Sequence, residues 1–509
     1  MTPLDFSILF IYLAAVLFLG ASFTGTRQSV RTYFLTGKNI PWWAVLGSLV
    51  ATETSTVTLV SVPGYAFGGD LTFLQLAIGY VVGRVIISTF LLPRLFTGEL
   101  LTAYQPIAKR FGIRVGRLTS SLFLITRSLS DGFRLFATGL VLATALATLP
   151  GAMLFAQTLL PSAQPSHALL VLTVGLMSAA TLAYTLLGGM KAVIWSDVIQ
   201  FGIYMSGAVV AGVILLSKVP GGFSEALTLL ESGGKLQIFD FSTDLTRSYT
   251  FWSGLVGGVF LTAGTHGTDQ MFVQRYLASR STRDASRALV WSGIVVFVQF
   301  TIFLGLGLLL WVYYTTYAPT ELASITVDGI IQTDQVFPTF IVNHLPSGLR
   351  GLLIAAIVAA AMSTLSSSLN SSAAATLGDF YLPATRDRQS EAHYLHVSRL
   401  STAFWAVVQL CVAISAVGLS GRIIDEVLGI QSLTSGLLLG LFVVALLPRT
   451  HKISPTSGVV IGATVLIALR FYTNVSWQWY VLAGSCSTFV SAWTVGWILS
   501  KNALLGRKP

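Results

Sequence analysis

Charge is what this sequence has least of. Only 10% of its 509 residues are charged, while 54% are hydrophobic. A soluble domain carries roughly 25% charged residues, so that class is excluded. Cysteine is nearly absent. Cys411 and Cys486 both fall in apolar stretches, fit no metal-ligand spacing, and are expected to be unpaired core residues. No polar run is long enough for a separate soluble domain. HExxH, GxSxG and P-loop patterns are missing, so nothing marks a membrane enzyme. A cleavable leader is not expected either: the N-terminus has no basic start, and Asp5 precedes the first apolar core.

What is abundant is apolar length. Runs of about 20 residues, each enough to cross a bilayer core, recur almost from end to end. About 13 are expected, near 4–24, 41–66, 70–96, 118–148, 168–187, 191–216, 249–277, 286–316, 345–379, 396–418, 425–447, 454–472 and 477–499. The fold class is therefore an all-α polytopic membrane protein. The net charge of +10 does not indicate nucleic acid, because the basic residues segregate by side. Taken alternately, one set of connections carries Arg27, Arg31, Lys38, Arg94, Lys109, Arg110, Arg114, Arg117, Lys191, Arg275, Arg280, Arg283 and Arg287. Arg386, Arg388, Arg399, Arg449, Lys452, Lys501, Arg507 and Lys508 continue it. The other set has Lys218, Lys235, Arg247 and Arg422 among acids such as Glu225, Glu231, Asp240, Asp244, Glu321, Asp328 and Asp334. The positive-inside rule then places the N-terminus outside and the C-terminus in the cytoplasm, as an odd number of crossings requires.

Polar groups inside apolar runs mark the functional candidates. In Ala355–Ser372, hydroxyls crowd around Asn370, and Ser363, Ser366, Ser367 and Asn370 share one helical face. Such a face serves either close helix packing with hydroxyls bonded back to carbonyls or an oxygen cage for a hard cation. The run 41–66 contains Ala51–Thr58, rich in hydroxyls and β-branched residues and carrying Glu53, which predicts a broken helix whose freed carbonyls face a cavity. The run 249–277 behaves alike, with Gly264, Thr265, His266, Gly267, Thr268 and Asp269. These two lie five crossings apart, so 41–216 and 249–447 read as inverted repeats, with 1–24 and 454–499 peripheral, all in one transport domain. The serine helix is third in its half and faces the break in the first, which favours the cation cage.

Other intramembrane polar residues are open to two readings. Gln75 is placed to face the same cavity. Arg127, Asp131 and Arg134 share a helix face, as an internal ion pair or as solute contacts. Asp197 is either an interfacial acid or a cation ligand. His266 has no second ligand at usable spacing and is read as pore-lining.

The segments SLVATETS, GGMKAVIWSDVIQ, GTDQMFVQRYLA and AAAMSTLSSSLNSSAAATLGDFY together resemble the sodium/solute symporter family, over nearly the full length. The resemblance implies 13 helices, a LeuT-type core of two inverted five-helix repeats, and alternating access. It implies a first sodium site from carbonyls of Ala51, Thr54 and Ala360 with hydroxyls of Ser363 and Thr364. A second, present in some members, would use Asp197, Ser366 and Ser367, so one or two Na+ ions are expected. Substrate positions depart from sugar-binding members: Glu53 stands in place of an amide, and Thr265 and His266 in place of an aromatic gate. The candidate solute-binding residues are Glu53, Ser55, Thr58, Gln75, Asp131, Arg134, Thr265 and His266. The expected function is sodium-coupled import of a small polar organic solute (a sugar, a sialic acid or a small carboxylate) across the cell inner (plasma) membrane. A sodium-dependent sensor and a sodium channel are the alternatives. The expected partners are that solute and the lipid bilayer, with no nucleic acid and no obligate protein partner.

Overall fold

The computed structural model describes residues 1–22, 29–36, 39–95, 100–327, 329–385, 388–416, 423–447 and 453–505. Arg27, Lys38, Arg386, Arg449, Lys452, Arg507 and Lys508, and on the opposite side Asp328 and Arg422, lie outside them.

The helices that concern the site are α1 (Pro3–Ser22), α2 (Trp42–Glu53), α3 (Thr56–Gly68), α4 (Leu74–Ile86), α5 (Ile113–Leu146), α6 (Pro165–Ser217), α7 (Gly258–Thr268), α8 (Gln270–Leu277) and α9 (Thr282–Val312). They continue with α10 (Leu349–Ala375), α11 (Glu391–Ser415), α12 (Ile423–Leu446), α13 (Pro455–Tyr472) and α14 (Tyr480–Leu505). Among the described residues, 11 helices are long and apolar enough to cross a membrane, or 12 when the bent pair α2–α3 counts as one crossing. The expected run 249–277 does not count among them, because it divides at Asp269 into two short helices.

The serine helix is the centre of the molecule. In the most apolar stretch of Leu349–Thr385, 94% of residues are buried, against 22% for α1. Its alanines and serines leave room for neighbours on every side. Asp5, at the start of α1, is itself buried and accepts hydrogen bonds from the Gly348 and Gly351 amides at 2.8 and 3.0 Å. The first helix thereby satisfies free donors at the N-terminus of α10.

Between the fifth and sixth runs, 168–187 and 191–216, the chain kinks inside α6. Gly189 adopts φ 56° there, and a Cβ on it would stand 2.8 Å from the Tyr33 carbonyl oxygen. Only glycine suits both conditions. Cys411 and Cys486 are free, as expected, but exposed rather than in the core. An apolar stretch in a membrane protein includes lipid-facing positions as well as buried ones, since lipid is as apolar as the core.

Candidate functional site

The interruption in the second run falls at Thr54 and Ser55, both extended, and turns α3 by 62° from α2. Hydroxyl and β-branched residues make this a poor helix, and their side chains offer the backbone other partners. Thr54 Oγ1 donates to the Val50 carbonyl at 2.8 Å and meets the Gln299 amide nitrogen at 2.7 Å. Thr56 Oγ1 donates to the Ile357 carbonyl of α10 at 3.2 Å and accepts from Thr138 Oγ1 of α5 at 2.8 Å. Pro63 lies within α3 and does not divide it.

The break meets the serine helix directly. Thr364 Oγ1 is 3.0 Å from the Thr52 carbonyl, 3.5 Å from that of Thr54 and 3.4 Å from that of Ala360. One hydroxyl therefore touches three carbonyl oxygens from two helices. Hard oxygen donors of this kind suit an alkali or alkaline-earth cation. Of the residues expected around the first ion, Thr54, Ala360 and Thr364 lie together, whereas the Ser363 hydroxyl donates to Asp197. Thr52 joins them, and Ala51 is buried beside it.

One turn along, the geometry departs from expectation. Asp197 is fully buried. Its Oδ1 accepts from Ser363 Oγ at 2.6 Å, and its Oδ2 from Ser48 Oγ at 2.5 Å. Oδ2 also pairs with Arg275 Nη2 at 2.9 Å. The same guanidinium donates to Ser48 Oγ at 2.8 Å and bonds Ser367. Ser366 Oγ turns back to the Ser363 carbonyl at 3.1 Å. Arg275, expected in a cytoplasmic connection, is 1% exposed. The cause is the break at Asp269. Asp269 Oδ1 caps α8 by accepting from Met271 N at 2.8 Å, and the restarted helix carries Arg275 into the bundle.

Beside the break lies a cavity of about 60 Å³. At 10–15 Å³ per water, that is room for roughly four to six water-sized groups. Thr52, Glu53, Ser55, Thr58, Arg134, Thr265 and His266 line it, together with Arg127, Thr262, Gln431 and the rings of Phe73, Tyr80, Phe272 and Phe300. Its charges come paired. Arg127 grips Asp269 at 2.6 Å and stands 3.6 Å from Asp131. Arg134 bonds Asp131 at 2.6 Å and the Gln431 amide oxygen at 3.1 Å, while its Nε has no partner. Glu53 is held by Arg84, itself fixed to Ser292 at 2.8 Å. Asp131 is thus a support for two arginines rather than a lining residue. Buried ions of this kind persist only when paired and hydrogen-bonded.

Gln75 does not face this cavity, contrary to expectation. Its amide nitrogen donates to the carbonyls of Thr72 at 3.1 Å and Tyr249 at 2.6 Å, and its oxygen accepts from Asp240 N at 3.1 Å. It ties down the connection between α6 and α7. The aromatic wall and Gln431 went unrecognised, because aromatic and amide residues in apolar runs carry no local mark of facing a cavity.

The chain resembles known transporters in both sequence and structure. The family model described as sodium:solute symporter family matches residues 33–462. The sodium/sialic acid symporter SiaT of Proteus mirabilis is 29% identical, over 96% of this chain and 94% of that protein. Human sodium-coupled monocarboxylate transporter 1 is 28% identical, over 90% and 70% respectively. A solved substrate-bound, outward-open structure of a Na+-coupled sialic acid symporter superposes with a TM-score of 0.83 at 27% identity, covering 98% of each chain. With the oxygen cluster at the helix break and a polar cavity beside it, these likenesses show that the chain belongs to the sodium:solute symporter family and is a sodium-coupled solute symporter.

Proposed function

We propose that the solute is a small carboxylate, imported with sodium by alternating access across the plasma membrane. The observation that carries this is Arg134, an arginine among the residues that line the cavity, whose side chain keeps 10% of its surface exposed. Arginine recognises carboxylates through a planar fork of donors. The similar proteins named for sialic acid and for monocarboxylates also move acids.

In this reading the first sodium ion lies among the carbonyls of Ala51, Thr54 and Ala360 and the hydroxyls of Ser363 and Thr364. Thr364, within reach of both helices, supports it. An ion there ties α3 and its break to α10, so solute and sodium affinities must be linked reciprocally. The second ion, at Asp197, Ser366 and Ser367, enters only when Arg275 leaves Oδ2. Each ion crossing inward down 100 mV releases about 2.3 kcal/mol, and a tenfold gradient adds about 1.4. Because a monocarboxylate anion moves against the potential and cancels one ion's electrical term, two ions support roughly 10³- to 10⁴-fold accumulation of it, and one about tenfold.

The architecture belongs to the same proposal: 13 crossings, with repeats 41–216 and 249–447 in opposite orientation around the broken pairs α2–α3 and α7–α8, and helices 1–24 and 454–499 outside them. The N-terminus is external and the C-terminus cytoplasmic. The test is a thermal-shift screen in sodium and then in potassium. Small carboxylates are expected to stabilise only in sodium, and their carboxamides not at all. Stabilisation by sugars, with carboxylates inert, would reject the proposal.

A further inference from the structure

We infer that four aromatic rings on the connection between α6 and α7, those of Phe239, Phe241, Phe251 and Trp252, form a wedge that inserts among the phospholipids of the leaflet on that side of the membrane. Phe239 and Phe241 stack with centroids 5.9 Å apart and 14° between their planes. Phe251 stands 5.1 Å from Phe241 and 6.3 Å from Phe239, and Trp252 meets it edge-on at 5.2 Å. The patch is uncovered: Phe239 is 48% and Phe241 62% exposed, with Leu245 and Trp252 exposed beside them. A contiguous apolar patch of this kind marks an interaction surface.

Asp240, between the two stacked rings, fixes how they are presented. Its N–H donates to Gln75 Oε1 at 3.1 Å, and its carbonyl accepts from Phe251 N at 2.6 Å. Its carboxylate accepts from Ser242 N at 2.9 Å and pairs with Arg247 at 2.9 Å. With Asp240 tied inward, the rings on either side of it are held outward, two residues apart on one face.

Two crossings set the height of the wedge. Leu74–Arg94 has 21 residues and Trp477–Leu499 has 23. At 1.5 Å per residue each is about 30–35 Å long, the thickness of the hydrocarbon core. The connection is bonded at the start of both: to Gln75 in the first, and, through Ser476 N and the Leu245 carbonyl at 2.9 Å, just ahead of the second. The rings therefore stand at the edge of the hydrocarbon. Trp252 sets the direction. Trp252, Val256, Val259 and Ala263 recur every three or four residues along one helical face, all apolar and all at least partly exposed. Leu261, Thr262 and Thr265, which line the cavity, lie on another face. An uncovered apolar stripe on a crossing helix faces lipid, and the wedge extends it toward the headgroups.

A protein partner would have to lie within the bilayer to reach this patch, whereas phospholipid is already there. Aromatic rings favour the headgroup level, and shallow insertion of an apolar face holds a segment to the membrane. The same connection grips the end of α3. Lys235 Nζ donates to the carbonyls of Phe67 at 3.0 Å and Gly69 at 2.8 Å, and the Gln237 carbonyl accepts from Leu71 N at 3.0 Å. Anchoring the wedge in lipid thus steadies that end of α3.

The test uses the full-length chain in phosphatidylcholine nanodiscs. In a Cys411→Ser, Cys486→Ser background, Phe239→Cys and Phe241→Cys are labelled one at a time with an environment-sensitive dye. A phospholipid with a nitroxide high on its acyl chain is expected to lower the emission at least twofold at both positions. Dithionite in the water should bleach either dye at least tenfold more slowly than free dye. The unlabelled native chain gives a second reading, free of any effect of the substitutions: a phospholipid with a photoactivatable diazirine at the same depth is expected to leave adducts on Ile238–Leu245. Failure of either the lipid quenching or the native adducts overturns the inference. Fast bleaching would then put the patch in water, and slow bleaching would put it under a second copy of the chain or another protein.

Discussion

Arg275 Nη2 stands 2.9 Å from Asp197 Oδ2, and neither side chain is more than 1% exposed. The acid expected to hold a second sodium ion thus already has a cation, supplied by the chain itself. Removing one partner of a buried pair costs about 3–5 kcal/mol, because the other charge is left without compensation. Asp197→Asn is therefore expected to destabilise the protein by about 3 kcal/mol or more. It is also expected to lower the sodium-to-solute ratio toward one. Unfolding in detergent reads the first effect, and reversal-potential flux in proteoliposomes the second. An unchanged ratio would remove the second ion from the mechanism.

Thr364 allows a sharper dissection of the first ion. Its hydroxyl reaches carbonyls on both sides of the helix contact, at 3.0 Å to Thr52 and 3.4 Å to Ala360. Valine keeps the shape and loses the oxygen, whereas serine keeps the oxygen. Thr364→Val should raise the half-saturating sodium concentration at least tenfold, about 1.4 kcal/mol, while Thr364→Ser stays close to the native value. A sodium titration followed by tryptophan fluorescence separates them. Native-like titration of the valine variant would place the ion elsewhere.

The break at Thr54–Ser55 and the burial of the serine helix were legible because each is written locally. A hydroxyl-rich, β-branched run in an apolar segment cannot continue as a comfortable helix. Seven hydroxyls on one helix cannot face hydrocarbon. Arg275 was not legible, for the opposite reason. It is followed closely by Arg280, Arg283 and Arg287, which read as a single basic connection. What separates it is a partner 78 residues away in sequence. The nearest local hint is Asp269 followed by Gln270 and Gln274: an N-cap and two amides restarting a helix inside an apolar run. Gln274 reaches Asn370 at 2.8 Å, so that polar stripe faces α10.

Gln75 illustrates a different failure, and it can be tested. A lone amide in an apolar helix suggests a solute contact, yet all three of its hydrogen bonds hold backbone, at Thr72, Tyr249 and Asp240. Each orphaned buried group costs about 1–3 kcal/mol. Gln75→Leu is expected to leave solute affinity within about twofold. It should speed hydrogen exchange across Asp240–Tyr249 at least tenfold. A large loss of affinity with exchange unaltered would return Gln75 to the binding site.

Arg134 carries the assignment of solute class, so its substitution must distinguish shape from charge. Lysine keeps the positive charge near Asp131 but offers a single ammonium in place of a planar fork, so it cannot serve Asp131, Gln431 and a solute together. Arg134→Lys is expected to weaken carboxylate binding tenfold or more, while sodium binding in the absence of solute changes little. That split matters because a general collapse of the bundle would weaken both. Isothermal titration with sodium alone, and then with solute at saturating sodium, measures the two terms separately. If sodium affinity fell in step with solute affinity, Arg134 would be a strut of the α5–α12 contact, and the carboxylate would have to be sought at Arg127, whose own partners at Asp269 and Asp131 leave it far less free.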